Sequence, residues 1–120
     1  AVKYNWGTES ADLQRRVAEH ALGAVADKRD KCLFLNFLCD MTQDCDCMST
    51  SQKPAMSDVG IVASLDPVAV DQATLDLTRE SAGLSLAEKA RPALDACVQL
   101  EHAEQIGLGS RRYDLIRVSD

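Results

Sequence analysis

Aromatic residues are scarce in this 120-residue chain, with two Phe, two Tyr and one Trp, so its core must be built from Leu, Val, Ile and Ala. An excess of positive charge is missing as well. Thirteen Lys and Arg stand against 19 Asp and Glu, for a formal net charge of -6, and the basic residues are scattered. Nucleic-acid backbones and anionic membranes reward clustered cations, so neither is expected as a partner. Long apolar runs are lacking too. The longest, Cys32 to Cys39 and broken by Asn36, is far too short to span a bilayer, and no signal peptide is visible. A disulfide framework is argued against by arithmetic and by size: five cysteines, unevenly placed, sit in a chain long enough to bury a core without staples. A reducing, cytoplasmic setting is expected.

The apolar residues are arranged for an α/β domain. Leu13, Val17, Ala21, Ala24 and Val25 recur at helical spacing, which predicts a helix from Ser10, as its cap, to Asp27. Lys31 to Leu38 is a nearly continuous apolar run and reads as a strand covered on both faces. Val59 to Ser64 reads as a second buried strand. Asp66-Pro67 then supplies an N-cap and a first-turn proline for a helix to about Glu80. On that helix Ala69, Val70, Ala73 and Leu77 share one face while Val68 and Leu75 lie on another, so burial on more than one side is expected. Asp76 falls in the first stripe and is expected to cap a backbone donor or pair with an Arg. Ser85-Leu86-Ala87-Glu88 has capping-box spacing, Pro92 can open a last helix through Leu100 to Ile106, and Gly107 should end it. Tyr113 to Val118 is a candidate third strand. The expected sheet is small, mostly parallel or mixed, with about three strands and helices packed on it.

Residues 39–57 break this order. They carry Asp, Thr, Ser, Gln and Lys with no sustained period, and loops beyond roughly 12 to 15 residues are usually functional or disordered. Inside the loop lies Asp44-Cys45-Asp46-Cys47. Thiolates are the soft ligands of zinc, cuprous copper and iron-sulfur clusters, and a spacing of one residue lets both sulfurs reach one centre. Two thiols do not fill a four-ligand site, so Cys39, Asp44, Asp46 or groups from elsewhere would have to complete it. Flanking carboxylates disfavour an unassisted thiolate nucleophile, and a bound cation reverses that penalty.

Taken in order, Leu35-Asn36-Phe37-Leu38, Asp44-Cys45-Asp46-Cys47, Asp58-Val59-Gly60-Ile61 and the run Ser64-Leu65-Asp66-Pro67-Val68-Ala69-Val70-Asp71-Gln72-Ala73 resemble the C-terminal part of the uncharacterised Fe-S centre proteins named domain of unknown function 362. Similarity continues at Gln99-Leu100-Glu101-His102-Ala103, at Gly107-Leu108-Gly109-Ser110 and at Tyr113. The resemblance implies that residues 1–120 form one domain, the C-terminal fragment of a longer chain. In longer members an upstream or inserted ferredoxin-like segment carries cysteine runs suited to four-iron clusters, and the stretch from Asn5-Trp6 onward resembles the part of those chains just after that segment. Of the cysteines here, only Cys45 and Cys47 match a family motif.

Three functional expectations stand side by side. In the first, Cys45 and Cys47, with Asp44 and Asp46, contribute to an iron-sulfur or transition-metal centre shared with the ferredoxin-like segment, in a protein that exchanges electrons with a redox partner. Asn36, Asp66 and Asp71 are then candidates to orient its ligands, Asp66 doubling as a helix cap. In the second the chain is a docking domain packed on that segment. In the third it is a thiol oxidoreductase cycling Cys45 and Cys47. If the two strands run parallel, Cys39 to Cys47 and Ser64 to Asp66 meet at one sheet end and form one site.

Overall fold

The computed structural model describes residues 9–118, except the side chain of Asp46; the stretch around Asn5-Trp6 lies outside the described residues. The chain runs α1 (Ser10–Val25), β1 (Phe34–Leu38), β2 (Gly60–Ser64), α2 (Pro67–Ala82), α3 (Leu86–Ala90) and α4 (Cys97–Gln105), with short 3-10 turns at Arg29–Lys31 and Asp46–Met48.

Helix ends follow local chemistry. Asp66 caps α2, its Oδ1 accepting from the amides of Val68 (2.8 Å) and Ala69 (3.1 Å), and Pro67 occupies the first helical position, where no amide is needed. Ser85 and Glu88 form the reciprocal capping box at α3. Gly107, at φ 75°, ends α4; the amides of Gly107 and Leu108 return to the carbonyls of Glu104 (3.0 Å) and Ala103 (2.9 Å), the Schellman arrangement that needs a left-handed residue. Two starts differ from the sequence reading. Ser10 is the first residue of α1, following Glu9, and its Oγ accepts from Gln14 Nε2 at 3.2 Å instead of capping amides. Pro92 does not open α4, which begins at Cys97. Asp95 Oδ1 takes the amide of Cys97 (2.8 Å), and Gln14 of α1 bonds Asp95 O (2.9 Å) and the amide of Gln99 (3.2 Å).

The sheet departs most from expectation. Among the described residues it has two strands, antiparallel, with Phe34 opposite Ser64 and Leu38 opposite Gly60. Residues 113–118 carry no regular secondary structure. One sheet face packs on α2; Leu35, Phe37 and Ile61 on the other are 48%, 65% and 60% exposed. Burial on both faces, read from the apolar runs, is therefore corrected to burial on one.

Helix α2 is the keel between two cores. On one side Val68 and Leu75 meet Ala18, Leu100, Ala103 and Leu108. On the other, α2 supports the strands, and Leu38 is buried with Met41 and Met56 against Val59, Val62 and Leu86. Burial on two sides, expected from the wheel, is what places α2 at the centre.

Asp76 pairs with neither a backbone donor nor an Arg. It accepts from Tyr113 Oη (2.8 Å) and Gln72 Nε2 (3.0 Å), which ties the C-terminal segment to α2. Burial, the bond to Asp76 and the charges of Asp76 and Glu80 push the Tyr113 phenol up to about 12. Because the folded value lies above the ordinary value of 10.0, the unfolded chain loses its proton first, and stability should fall as pH climbs from 10 toward 12. An ultraviolet titration should show a late phenol that vanishes in Tyr113→Phe and moves down in Asp76→Asn. A tyrosinate transition complete by pH 11 would refute the coupling.

Candidate functional site

The cysteine loop is a braced structure, and the strand pairing explains why. An antiparallel return brings the loop's two ends together at Leu38 and Gly60. Val59 N donates to Leu38 O (2.9 Å), Asp40 N to Asp58 Oδ1 (2.8 Å) and Ala55 N to Met41 O (2.7 Å). Met41 and Met56 then plug the loop into the core at 7% and 6% exposure. Deeper in the loop, Gln52 clamps the backbone of Asp44 from both directions: its Oε1 accepts from Asp44 N (2.9 Å) and its Nε2 donates to Asp44 O (3.2 Å). Thr42 Oγ1 donates to the same carbonyl at 2.8 Å. The Asp44 carboxylate is ion-paired with Arg91, just past α3, and Gln43 Nε2 reaches Ala90 O at 3.4 Å.

This frame presents the thiols outward. Cys39, Cys45 and Cys47 are all exposed. The turn at Asp46–Met48 closes with Met48 N on Cys45 O (3.0 Å), and Cys47 N points at Cys45 Sγ (3.4 Å). An amide directed at a sulfur stabilises charge on it, a lever by which proteins tune metal thiolates. Cys39 turns elsewhere, its Sγ 3.9 Å from Gly60 O.

Asn36 and Asp71 are brought together. Asn36 Nδ2 donates to Asp71 Oδ1 (2.8 Å) and Thr74 Oγ1 (2.9 Å), joining the α2 side of β1 to α2. Burial pushes the Asp71 carboxyl above its ordinary value, and the Asn36 bond opposes that rise. Asp71 also lines a groove of about 360 Å³, with Gln14, Thr74, Leu75, Arg91 and Gln99 among the other walls. Arg91 therefore touches both the groove and the cysteine loop.

Asp66 is separated from the loop. The expectation of one site rested on parallel strands; with antiparallel ones the loop leaves at the Leu38–Gly60 end while Asp66 follows Ser64, at the Phe34 end. There its Oδ2 accepts from Ser110 N (2.8 Å), in addition to the α2 cap. The sequence reading missed Gln52, Arg91 and the methionine anchors. Met41 and Met56, two apolar residues of a mostly polar stretch on either side of the Cys motif, were a signal that could have been used; Gln52 and Arg91 gave none.

Among the described residues, no three of His, Cys, Asp and Glu are grouped to hold a metal ion. The described donors by themselves therefore do not make up a four-ligand centre. They do fit a contribution of two soft thiolates to a centre completed from elsewhere.

Fold and site together define an α/β domain that displays a paired-thiol loop at one end of a two-stranded sheet. The chain belongs to the family described as domain of unknown function (DUF362), whose model matches residues 2–76. That stretch includes Asn36, Cys45, Cys47, Asp66 and Asp71; the similarity read at 99–113 lies beyond it. No curated protein and no solved structure matches the chain.

Proposed function

We propose that this domain lends the thiolates of Cys45 and Cys47 to an iron-sulfur or other soft-metal centre, whose remaining ligands come from a ferredoxin-like segment of the same longer polypeptide. The observation that carries this reading is the display of both thiols at a tight turn whose base is clamped by Gln52 and plugged by Met41 and Met56. A core cysteine needs no such frame, whereas ligands held in advance lose less freedom on binding. Asp44, ion-paired with Arg91, acts by positioning the turn. Asp46, between the two thiols in sequence, is the further oxygen donor of this reading. A bound cluster would supply one-electron chemistry to a redox partner; Cys47 N would stabilise the Cys45 thiolate.

The test is compositional. Purified without oxygen as its longest native polypeptide, the protein should carry iron and acid-labile sulfide, and Cys45→Ser with Cys47→Ser should lower both and alter the electron paramagnetic resonance spectrum. Identical content and spectrum in wild type and variant would reject ligation.

A docking role is the second reading, favoured by the bare apolar face of Leu35, Phe37 and Ile61. It predicts that this face, rather than the thiols, is protected from hydrogen exchange in the longer polypeptide.

A further inference from the structure

A slot of about 910 Å³ runs along β2, at the edge away from β1. Its walls identify what fits it. On one side it is lined by every residue from Val59 to Ser64, and on the other by every residue from Tyr113 to Val118. A strand presents alternate residues to something covering its face, and consecutive residues to something lying along its edge. The slot is therefore an edge feature, distinct from the bare face of Leu35 and Phe37. Its floor is α2, through Ala69, Val70, Ala73 and Leu77.

The opposite wall is tied to α2. Tyr113 Oη is bonded to Asp76 at 2.8 Å, and Arg117 Nη2 lies 3.6 Å from Glu80 Oε1, both on α2. Among the described residues no strand pairs with this edge. In an antiparallel pair, alternate residues of β2 turn N–H and C=O toward β1 and the others turn them outward. A purely apolar occupant would leave those outward groups without partners, which is costly. An extended peptide satisfies them.

We propose that this slot binds a β-strand in trans: an extended segment of five or six residues from a partner protein, apolar at alternate positions, seated as the third strand of the sheet. Its length matches the five residues of β2. Branched apolar side chains suit the small Ala69 and Ala73 of the floor. Glu80 and Arg117 offset each other at the rim and Asp114 adds one negative charge, so a lysine at one end of the segment is complementary. Strand addition to an open edge is an established mode of peptide recognition. The inference does not depend on what the cysteines bind.

The probe is the acetylated, amidated peptide Lys-Val-Thr-Val-Thr-Val, added to the 120-residue chain and followed by amide hydrogen exchange. Residues 60–64 should gain at least tenfold protection, saturably. Two further peptides carry N-methyl groups on one or the other alternate set of residues. One of them should lose binding at least tenfold more than its counterpart, because only one set of amides faces β2. No protection at 60–64, or equal binding by both methylated peptides, would overturn the proposal. Concentration-dependent protection without peptide would also overturn it, by showing that a second copy fills the edge.

Discussion

Asp66→Ala should lower the melting temperature by on the order of 10 °C, more than substitution of the exposed Cys45 or Cys47 by serine. One carboxylate organises three amides there: Oδ1 takes those of Val68 and Ala69, and Oδ2 takes that of Ser110. Losing an N-cap costs about 1 kcal/mol, up to roughly 2. The Ser110 amide, left in a half-buried place, adds about 1–3 kcal/mol. The α2 start and the chain after α4 would loosen together, since Asp66 is their common anchor. A melting point within 2 °C of wild type would show that water replaces the carboxylate at little cost.

Gly109 makes the same contact testable from the other side. A Cβ there would collide with Asp66 Oδ1. The end of a flexible side chain normally swings away from such a clash, but this one is fixed by the amides it caps. Gly109→Ala should therefore destabilise by driving the carboxylate off its donors, much as Asp66→Ala does by deletion. The double variant should cost clearly less than the sum, because the Asp66→Ala change already removes the obstructing oxygen. Strict additivity in urea denaturation would mean that the two residues act separately.

What could be read from the sequence was what local chemistry decides. Asp66-Pro67, the Ser85–Glu88 box and Gly107 each specify a helix end within one turn, and all three stand in the structure. The start of α4 escaped because Asp95 and Gln14, the latter 81 residues away, override the signal of Pro92. Strand direction was hidden for a different reason. Leu35, Phe37 and Ile61 make their strands apolar on both faces, which reads as a buried parallel sheet, yet that second face is bare. Nothing in an apolar run says what covers it. The thiol pair was visible by spacing alone, whereas the contacts of Gln52 and Arg91 with Asp44, which help hold it, only folding could reveal. Separation of Asp66 from the thiols came from strand direction, and so could not be seen sooner.

Asn36, which interrupts an apolar strand, and Asp71, a carboxylate read as a candidate to orient metal ligands, are hydrogen-bonded to each other at 2.8 Å. Their coupling predicts a pH signature. Burial holds the Asp71 carboxyl above its ordinary 3.8, so below that value both folded and unfolded chains are protonated and the group has no effect on stability. As pH rises, the unfolded chain ionises first; the folded state then holds the extra proton, and stability falls until the folded group also ionises. Asp71→Asn keeps an acceptor for Asn36 and removes the charge. Its urea midpoint relative to wild type should accordingly rise as pH climbs above 3.8 and level off once the folded carboxyl has ionised. Asn36→Ala acts oppositely. It deletes the donor that opposes the rise, pushing Asp71 further up and extending the loss of stability to higher pH, on top of about 1–3 kcal/mol for the abandoned partners. A midpoint difference between Asp71→Asn and wild type that stays flat from about pH 3 to 7 would show that Asp71 is solvated like a surface carboxylate. A rising one would mean that burial at the groove lined by Asp71 and Arg91 makes the ionised carboxyl costly to folding.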